Sequence, residues 1–378
     1  RRVCHDRLDR LDALSKFAET RYTFIIEGWA PANQLSALRA HLRQCDPTIM
    51  LRSVKAHGAA GSPPVQLSNP AAIRPFQTLF GLLPLPQYGS VDPTWFMAMF
   101  FPPIFGLMLG DIGYGLILAL GAMLLWRAGR TRELAKTLAV VVGSCAFFTI
   151  VFGFVFGELF GTFGHHIGLK PIWRERIEVG AADTGKVLLS YLVFSVAVGA
   201  VHVLCGLVLG IINARRSKQT VKAVDCTARI VGVFGLFFVV GRLVNLLPPF
   251  FTSLGIVTWI IFFVLVAWTT VRQPTHGLMM PLELLGTVGN ILSYARIMAV
   301  GMASAVLALL ANQFGSMINN VILAAIVVLL IHTLNMVLGI VDPTIQGLRL
   351  HYVEFFSKFY MAGGRVYSPF QKTGGKSL

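Results

Sequence analysis

Charged side chains are scarce here. Only 13% of the 378 residues are Asp, Glu, Lys or Arg, against about 25% in a typical soluble domain. That scarcity excludes an ordinary water-soluble globule. Cysteine is also sparse: Cys4, Cys45, Cys145, Cys205 and Cys226 lie far apart, with no CxxC and no Cys/His pair at metal spacing. A zinc or dithiol site is therefore not expected. Acids are fewer than bases, 17 against 32, for a net charge of +15. A nucleic-acid partner does not follow, because the basic residues cluster in short segments between apolar runs, as the positive-inside rule expects. No GxxxxGK[ST] loop is present. The terminal "TGGKSL" lacks the first glycine and a following helix, so no ATP site and no cofactor are expected.

Apolar length is what the chain has. Hydrophobic residues make up 55% and the mean hydropathy is +0.69. Several runs reach the ~20 residues that cross a bilayer as a helix. The expected fold is mainly α, a polytopic membrane helical bundle preceded by a small cytoplasmic α/β segment. Residues 1–75 read as the remainder of a cytoplasmic α/β arm: a charged helix "RLDRLDALSKFA", a strand "RYTFIIEGWAP" and an amphipathic helix "ANQLSALRAHLRQ", followed by a loop at 57–64. With no initial Met and no signal peptide, the chain reads as the later part of a longer protein. Residues 76–94 approach the membrane, 95–360 form the transmembrane domain and 361–378 a cytoplasmic tail.

Spans read as 95–126, 134–160, 186–213, 228–247, 250–270, 282–312 and 318–358. The basic clusters at 127–136 and 213–222 belong to the cytoplasm. The mixed loop 161–185 and the uncharged turns 246–251 and 312–320 suit the outside. One conflict arises. The N-terminal part and the 127–136 loop both read as cytoplasmic, yet a single apolar run separates them. That run holds "GDIGYG" at 110–115, and glycine tolerates sharp turns. The run therefore reads as two short passes, 95–109 and 114–126. The alternative is one long helix with close-packing glycines. Two short passes give about eight in all, both chain ends cytoplasmic. The last two spans are long and tilted. The final one would reach ~60 Å at 1.5 Å per residue, twice the ~30 Å hydrocarbon core, and Pro343 offers a bend.

"LSYARIMAV" places Arg296 in an apolar run. An arginine at mid-membrane costs ~2.5–3.5 kcal/mol, so it marks either an ion path or an internal salt bridge. Arg349 lies nearer a helix end, where snorkelling competes with function. Glu283 reads as the start of the Arg296 helix, either a proton entrance or an acid favoured by the helix dipole. Asp111, Glu158, His202, Arg242, His332 and Asp342 lie within or beside spans, and His165–His166 in the outer loop.

Three stretches, "FFPPIFGLMLGDIGYGLILA", "PLELLGTVGNILSYARIMAVGMA" and "HTLNMVLGIVDPTIQGLRLHYVEFFSKFYMAGGRVYSPF", together resemble the membrane subunit of V-type/A-type rotary ATPases, called subunit a, or subunit I in prokaryotes. The likeness covers residues 20 to 370. It implies a stator beside a rotating ring of proteolipid c subunits, with two aqueous half-channels at the interface. It further implies peripheral stalk partners, the other V/A-ATPase subunits and a lipid bilayer. The family's essential arginine falls on Arg296, its second arginine on Arg349, and the polar residue before the latter on Gln346. The cytoplasmic half-channel acid falls on Glu283, and the GD acid on Asp111. Two positions depart from eukaryotic relatives, an acid being Gly339 here and a histidine Ser304. The outer path then falls to Asp342, Glu158 or Asp111. The translocated ion is taken as H⁺, although ion selection belongs largely to the ring. The rival reading is a stand-alone secondary transporter holding an anion at Arg296; a third is a membrane scaffold.

Overall fold

The computed structural model describes residues 7–8, 11–13, 17–54, 63–129, 132–173, 176, 184–243 and 247–369. Two compact units emerge: residues 1–68, 84–88 and 362–378, and residues 69–83 and 89–361.

In the first unit, β1 (Ala18–Glu19) pairs antiparallel with β2 (Phe24–Ile25). The turn between them is tied by Thr20 N–H to the Thr23 carbonyl at 2.7 Å. The strand expected over 21–31 is thus only two residues long. Its partner offers a two-rung ladder, and Tyr22, Ile26 and Trp29 beyond it are exposed. The amphipathic helix forms as expected, a 3₁₀ turn Ala32–Gln34 leading into α1 (Leu35–Cys45). Of the first expected helix, residues 7–8 and 11–13 are helical and Ala18 belongs to β1, while 9–10 and 14–16, like most of the 57–64 loop, lie outside the described residues. In the tail, β4 (Ala362–Gly364) pairs antiparallel with β3 (Leu85–Pro86).

The second unit is helical because a backbone in hydrocarbon must satisfy its own hydrogen bonds. Its helices are α2 (Thr94–Leu109), α3 (Ile112–Ala128), α4 (Glu133–Phe156), α5 (Thr184–Arg216), α6 (Thr220–Leu243), α7 (Phe250–Arg272), α8 (Pro274–Leu292), α9 (Ala295–Met317) and α10 (Val321–Arg349). Counting α8 and α9 as one 44-residue span, six helices among the described residues are long and apolar enough to cross a membrane; α2 and α3 are shorter apolar helices. The break between α2 and α3 falls at the "GDIGYG" hinge. Gly110 takes φ +42° there, a left-handed conformation that glycine adopts without penalty. Asp111 then caps α3, accepting from Gly113 N–H at 2.7 Å and Tyr114 N–H at 3.1 Å.

Two expectations about α8 need correction. The helix bearing Glu283 begins at Pro274, not near 282. Proline suits the first helical position, and the second proline, Pro281, lies inside the helix. Glu283 therefore sits in mid-helix and is not a helix-end acid. Nor does it share a continuous helix with Arg296, because a turn at Ser293–Tyr294 separates α8 from α9.

α10 starts at a cap made by Asn320, whose Oδ1 accepts from the N–H groups of Ile322 and Leu323. It runs through Pro343 and changes its winding only at Leu350, in a π-helical turn Leu350–Phe355 followed by a 3₁₀ turn Phe356–Lys358. Two cores form. One gathers Phe101, Tyr114, Phe355 and Phe356; the other gathers Met108, Tyr294, Ile297 and Leu350. The long segment 321–358 stays outside both along most of its length, with only 6% of its most apolar window buried, against 33% for 274–317.

Candidate functional site

The turn before Arg296 is built by a tyrosine. Tyr294 is fully buried and drives into α5 at Gly199, where a Cβ would stand 2.4 Å from the Tyr294 ring. Only glycine permits that approach. Tyr294 Oη then meets His202 Nδ1 at 2.6 Å. The turn tightens to i→i−3 bonding, Arg296 N–H reaching the Ser293 carbonyl at 3.3 Å. Arg296 thus becomes the second residue of α9, with Tyr294 anchored just behind it.

From this position the guanidinium faces Glu354 on the π-helical turn. Nη1 and Oε1 are 3.9 Å apart, too far for a hydrogen bond. The Glu354 side chain is 3% exposed, that of Arg296 22%. π-helical turns recur at functional sites; this one turns Glu354 inward beside His351. His351 donates from Nδ1 to the Gly347 carbonyl at 2.7 Å, and its ring lies 5.0 Å from that of His202. Among the described residues, five buried polar atoms have no hydrogen-bond partner: Arg296 Nη1, Glu354 Oε2, Gln346 Oε1, His202 Nε2 and His351 Nε2. Buried polar atoms are nearly always satisfied, so exceptions point to a use.

Two other arginines show what structural pairing looks like. Arg176, fully buried, donates Nε to Glu158 Oε1 at 2.8 Å and Nη2 to Oε2. Its remaining N–H groups reach the carbonyls of Met108, Leu109, Gly110 and Gly301 at 2.9–3.2 Å. Burial alone would favour its neutral form, but the Glu158 charge and hydrogen bonds outweigh that and raise its pKa. Arg229 grips Asp225, one turn earlier on α6, and Glu283 of α8. Both cations are held in close charge-assisted bonds to carboxylates. Arg296 is not.

The residues expected to carry function therefore separate into groups. Arg296 stands with Glu354, and Arg349 and Lys358 lie close enough to act on the Glu354 charge. Arg349 ends α10, exposed; Gln346 is half-buried one turn earlier; Asp342 is exposed. Glu283 belongs to the Arg229–Asp225 cluster. Asp111 does not reach Arg296's partners. Its carboxylate is held by four N–H groups, those of Gly113, Tyr114, Phe160 and Gly161. Glu158 pairs with Arg176.

Sequence reading missed Glu354, His351, Asp225 and Arg229. A signal existed for the last two: an acid and an arginine at i, i+4 pair on one helix face. The apolar run was read from 228, which left Asp225 outside it. Glu354 carried no such mark, because five residues from Arg349 is not a pairing distance on an α-helix; only the π-helical winding brings it inward.

A family model described as the V-type ATPase 116kDa subunit family matches residues 9–139. The chain is 32% identical over 425 residues to an A-type ATP synthase subunit I of Archaeoglobus fulgidus, covering 96% of this chain and 61% of the relative. It is 28% identical over 394 residues to that of Methanocaldococcus jannaschii, covering 96% and 57%. For that of Halobacterium salinarum the values are 26% over 472 residues, 97% and 63%. The chain thus spans about six-tenths of the length of these relatives.

Proposed function

Because the chain belongs to the V-type ATPase 116 kDa subunit family, we propose that it is the stator membrane subunit of a rotary V/A-type ATPase. It forms two ion half-channels against a proteolipid c-ring and couples proton translocation to ring rotation. The observation that carries this reading is the contrast among the three arginines. Arg176 and Arg229 are consumed by tight pairs, whereas Arg296 keeps an unpartnered Nη1 and a partly open side chain. A cation so placed is free to meet a carboxylate supplied from outside the chain.

A ring carboxylic acid arriving beside Arg296 meets a charge that favours its ionised form, so it releases its proton. Arginine does not lose its own proton, so the proton cannot pass through it and the half-channels stay separate. Glu354 stands behind as a resident counter-charge, and Arg349 and Gln346 extend the polar edge along α10. Glu283, with Arg229 and Asp225, serves the cytoplasmic half-channel. Asp111 and Glu158 hold the outer ends of α2, α3 and α4 in place. The bare face of α10, apolar and uncovered, suits an apolar ring of helices. The complex's other subunits and a peripheral stalk hydrolyse or make ATP and hold the stator; this chain supplies no nucleotide site. The bundle lies with 127–136 and 213–222 in the cytoplasm.

The test is ATP-driven ion uptake by the reconstituted complex. Arg296→Gln and Arg296→Lys both copurify with the ring, and both lose coupled uptake. Lysine fails because it is a compact charge whose pKa falls on desolvation and which lacks the planar fork. Substantial uptake by the Gln variant refutes an electrostatic gate. Loss of the ring from both variants makes Arg296 a brace.

A further inference from the structure

From Ile297 to Val341 the sequence has a single ionisable side chain, His332. It lies on α10 at the end of the α9–α10 pair away from Arg296. A hydrogen-bonded chain runs through it. Asn335 Nδ2 donates to Tyr114 Oη at 2.9 Å and to the Ser304 carbonyl at 2.9 Å. Tyr114 Oη meets His332 Nδ1 at 2.7 Å. His332 Nε2 meets Asn312 Oδ1 at 3.3 Å. Asn312 Nδ2 donates to the Phe160 carbonyl at 2.9 Å and to Thr162 Oγ1 at 3.0 Å.

These contacts fix every hydrogen. Asn312 uses its amide nitrogen on Phe160 and Thr162, so the atom facing His332 is a carbonyl oxygen that only accepts. His332 therefore carries its hydrogen on Nε2, and Nδ1 accepts from the Tyr114 hydroxyl. From Asn335 onward the bonds point one way, towards the 160–162 loop; the Asn335–Ser304 bond anchors the other end. Tyr114 and Asn335 are buried; His332 and Asn312 are half-buried. The titratable groups facing His332 are Tyr114 and, at the start of α3, Asp111, which acts on its charge.

We infer that His332, held between Tyr114 and Asn312, is the titrating group of the outer half-channel and relays protons between the Arg296 site and the outer face. The inference rests on the stator reading above. Ser304, where the chain touches α9, is eight residues from Arg296, about 12 Å along a helix, a gap that water spans. In one pumping event a protonated water on the arginine side gives its proton to Tyr114 Oη as the hydroxyl gives its own hydrogen to His332 Nδ1. The imidazolium then gives the Nε2 hydrogen to a water on the outer side, while the Asn335 and Asn312 amides orient the hydroxyl and the ring and carry no proton. Rotation of the tyrosine hydroxyl and return of the tautomer reset the chain. One proton enters and one leaves. Synthesis runs the sequence backwards. Imidazole suits the task because it titrates between pH 5 and 8.

A purely structural lock makes a different demand: it needs only one acceptor and one donor at position 332, and glutamine supplies both. The experiment is ATP-driven proton uptake by the whole reconstituted complex across pH 5–9, with ring copurification checked. His332→Gln is expected to copurify with the ring and to slow uptake roughly a hundredfold or more, the scale of a lost proton-transfer group. His332→Glu keeps a titrating group and is expected to retain more uptake than Gln, with the pH-dependent limb moved to lower pH. Tyr114→Phe, which keeps the ring but removes the relaying hydroxyl, is expected to slow uptake in the same sense. Wild-type uptake and pH profile in His332→Gln overturn the relay, as does loss of the c-ring from both 332 variants, which assigns His332 to packing. Arg296→Gln measured alongside separates the failures: if it alone stops uptake, the relay falls and the stator reading stands; if it too leaves uptake intact, the stator reading falls.

Discussion

Replacing Arg176 by methionine should loosen the junction of α2, α4 and α9. The side chain would keep its apolar stem and lose six hydrogen bonds, two to Glu158 and four to carbonyls. Three of those carbonyls, on Met108, Leu109 and Gly110, belong to the end of α2, where a helix leaves acceptors unsatisfied. The dominant loss is electrostatic. Glu158 is 8% exposed, and breaking a buried ion pair from one side costs about 3–5 kcal/mol. The fourth carbonyl, on Gly301, lies five residues beyond Arg296, about 7.5 Å along α9, so the strain falls near the gate. The assay is thermal inactivation of the detergent-purified complex, followed by ring copurification and ATP-driven uptake. Arg176→Met should lower the inactivation temperature. Adding Glu158→Gln should recover part of the loss, since the buried carboxylate charge goes with its arginine. Arg176→Lys should fall between, because a point charge cannot reach four carbonyls and a carboxylate at once. A Met variant as heat-stable as the parent would refute this reasoning. So would a double variant no better than Arg176→Met.

Other outcomes follow from the same geometry. Glu283→Gln removes one of the two carboxylates gripped by Arg229 while Asp225 still holds it, so the complex should assemble; proton uptake should slow several-fold, read across a pH series, and unchanged uptake would make Glu283 a mere tether. In a cysteine-free background, Lys218→Cys should be labelled by an impermeant thiol reagent only from the cytoplasmic side and Phe250→Cys only from the opposite side; both residues are exposed, and labelling of the pair from one side would overturn the orientation.

The fold was legible wherever it followed from local chemistry. Continuous apolar runs of about 20 residues become helices, because a helix satisfies its own polar groups in lipid within the run, whereas a closed barrel uses strands of about 9–11 residues. The hinge at Gly110–Asp111 was equally local: a glycine for the left-handed turn and an aspartate to cap the next helix. The two-residue β2 was not legible, because a strand's length depends on its partner. Nor was the true start of α8: the apolar run was read from 282, and the folded chain begins the helix at Pro274.

The candidate site divides along the same line. By itself the sequence determined that Arg296 is a cation in an apolar helix, with Arg349 and Gln346 spaced along another, because composition and helical period are properties of the chain alone. Only the tertiary structure decided which charges neutralise one another. It gave Glu158 to Arg176, 18 residues away in the chain, and Glu283 to Arg229, 54 residues away. It also wound residues 350–355 so that Glu354 faces Arg296 at a distance too long to hold it. Pairing in low dielectric is a matter of ångströms, and sequence spacing does not carry ångströms between helices that are far apart along the chain.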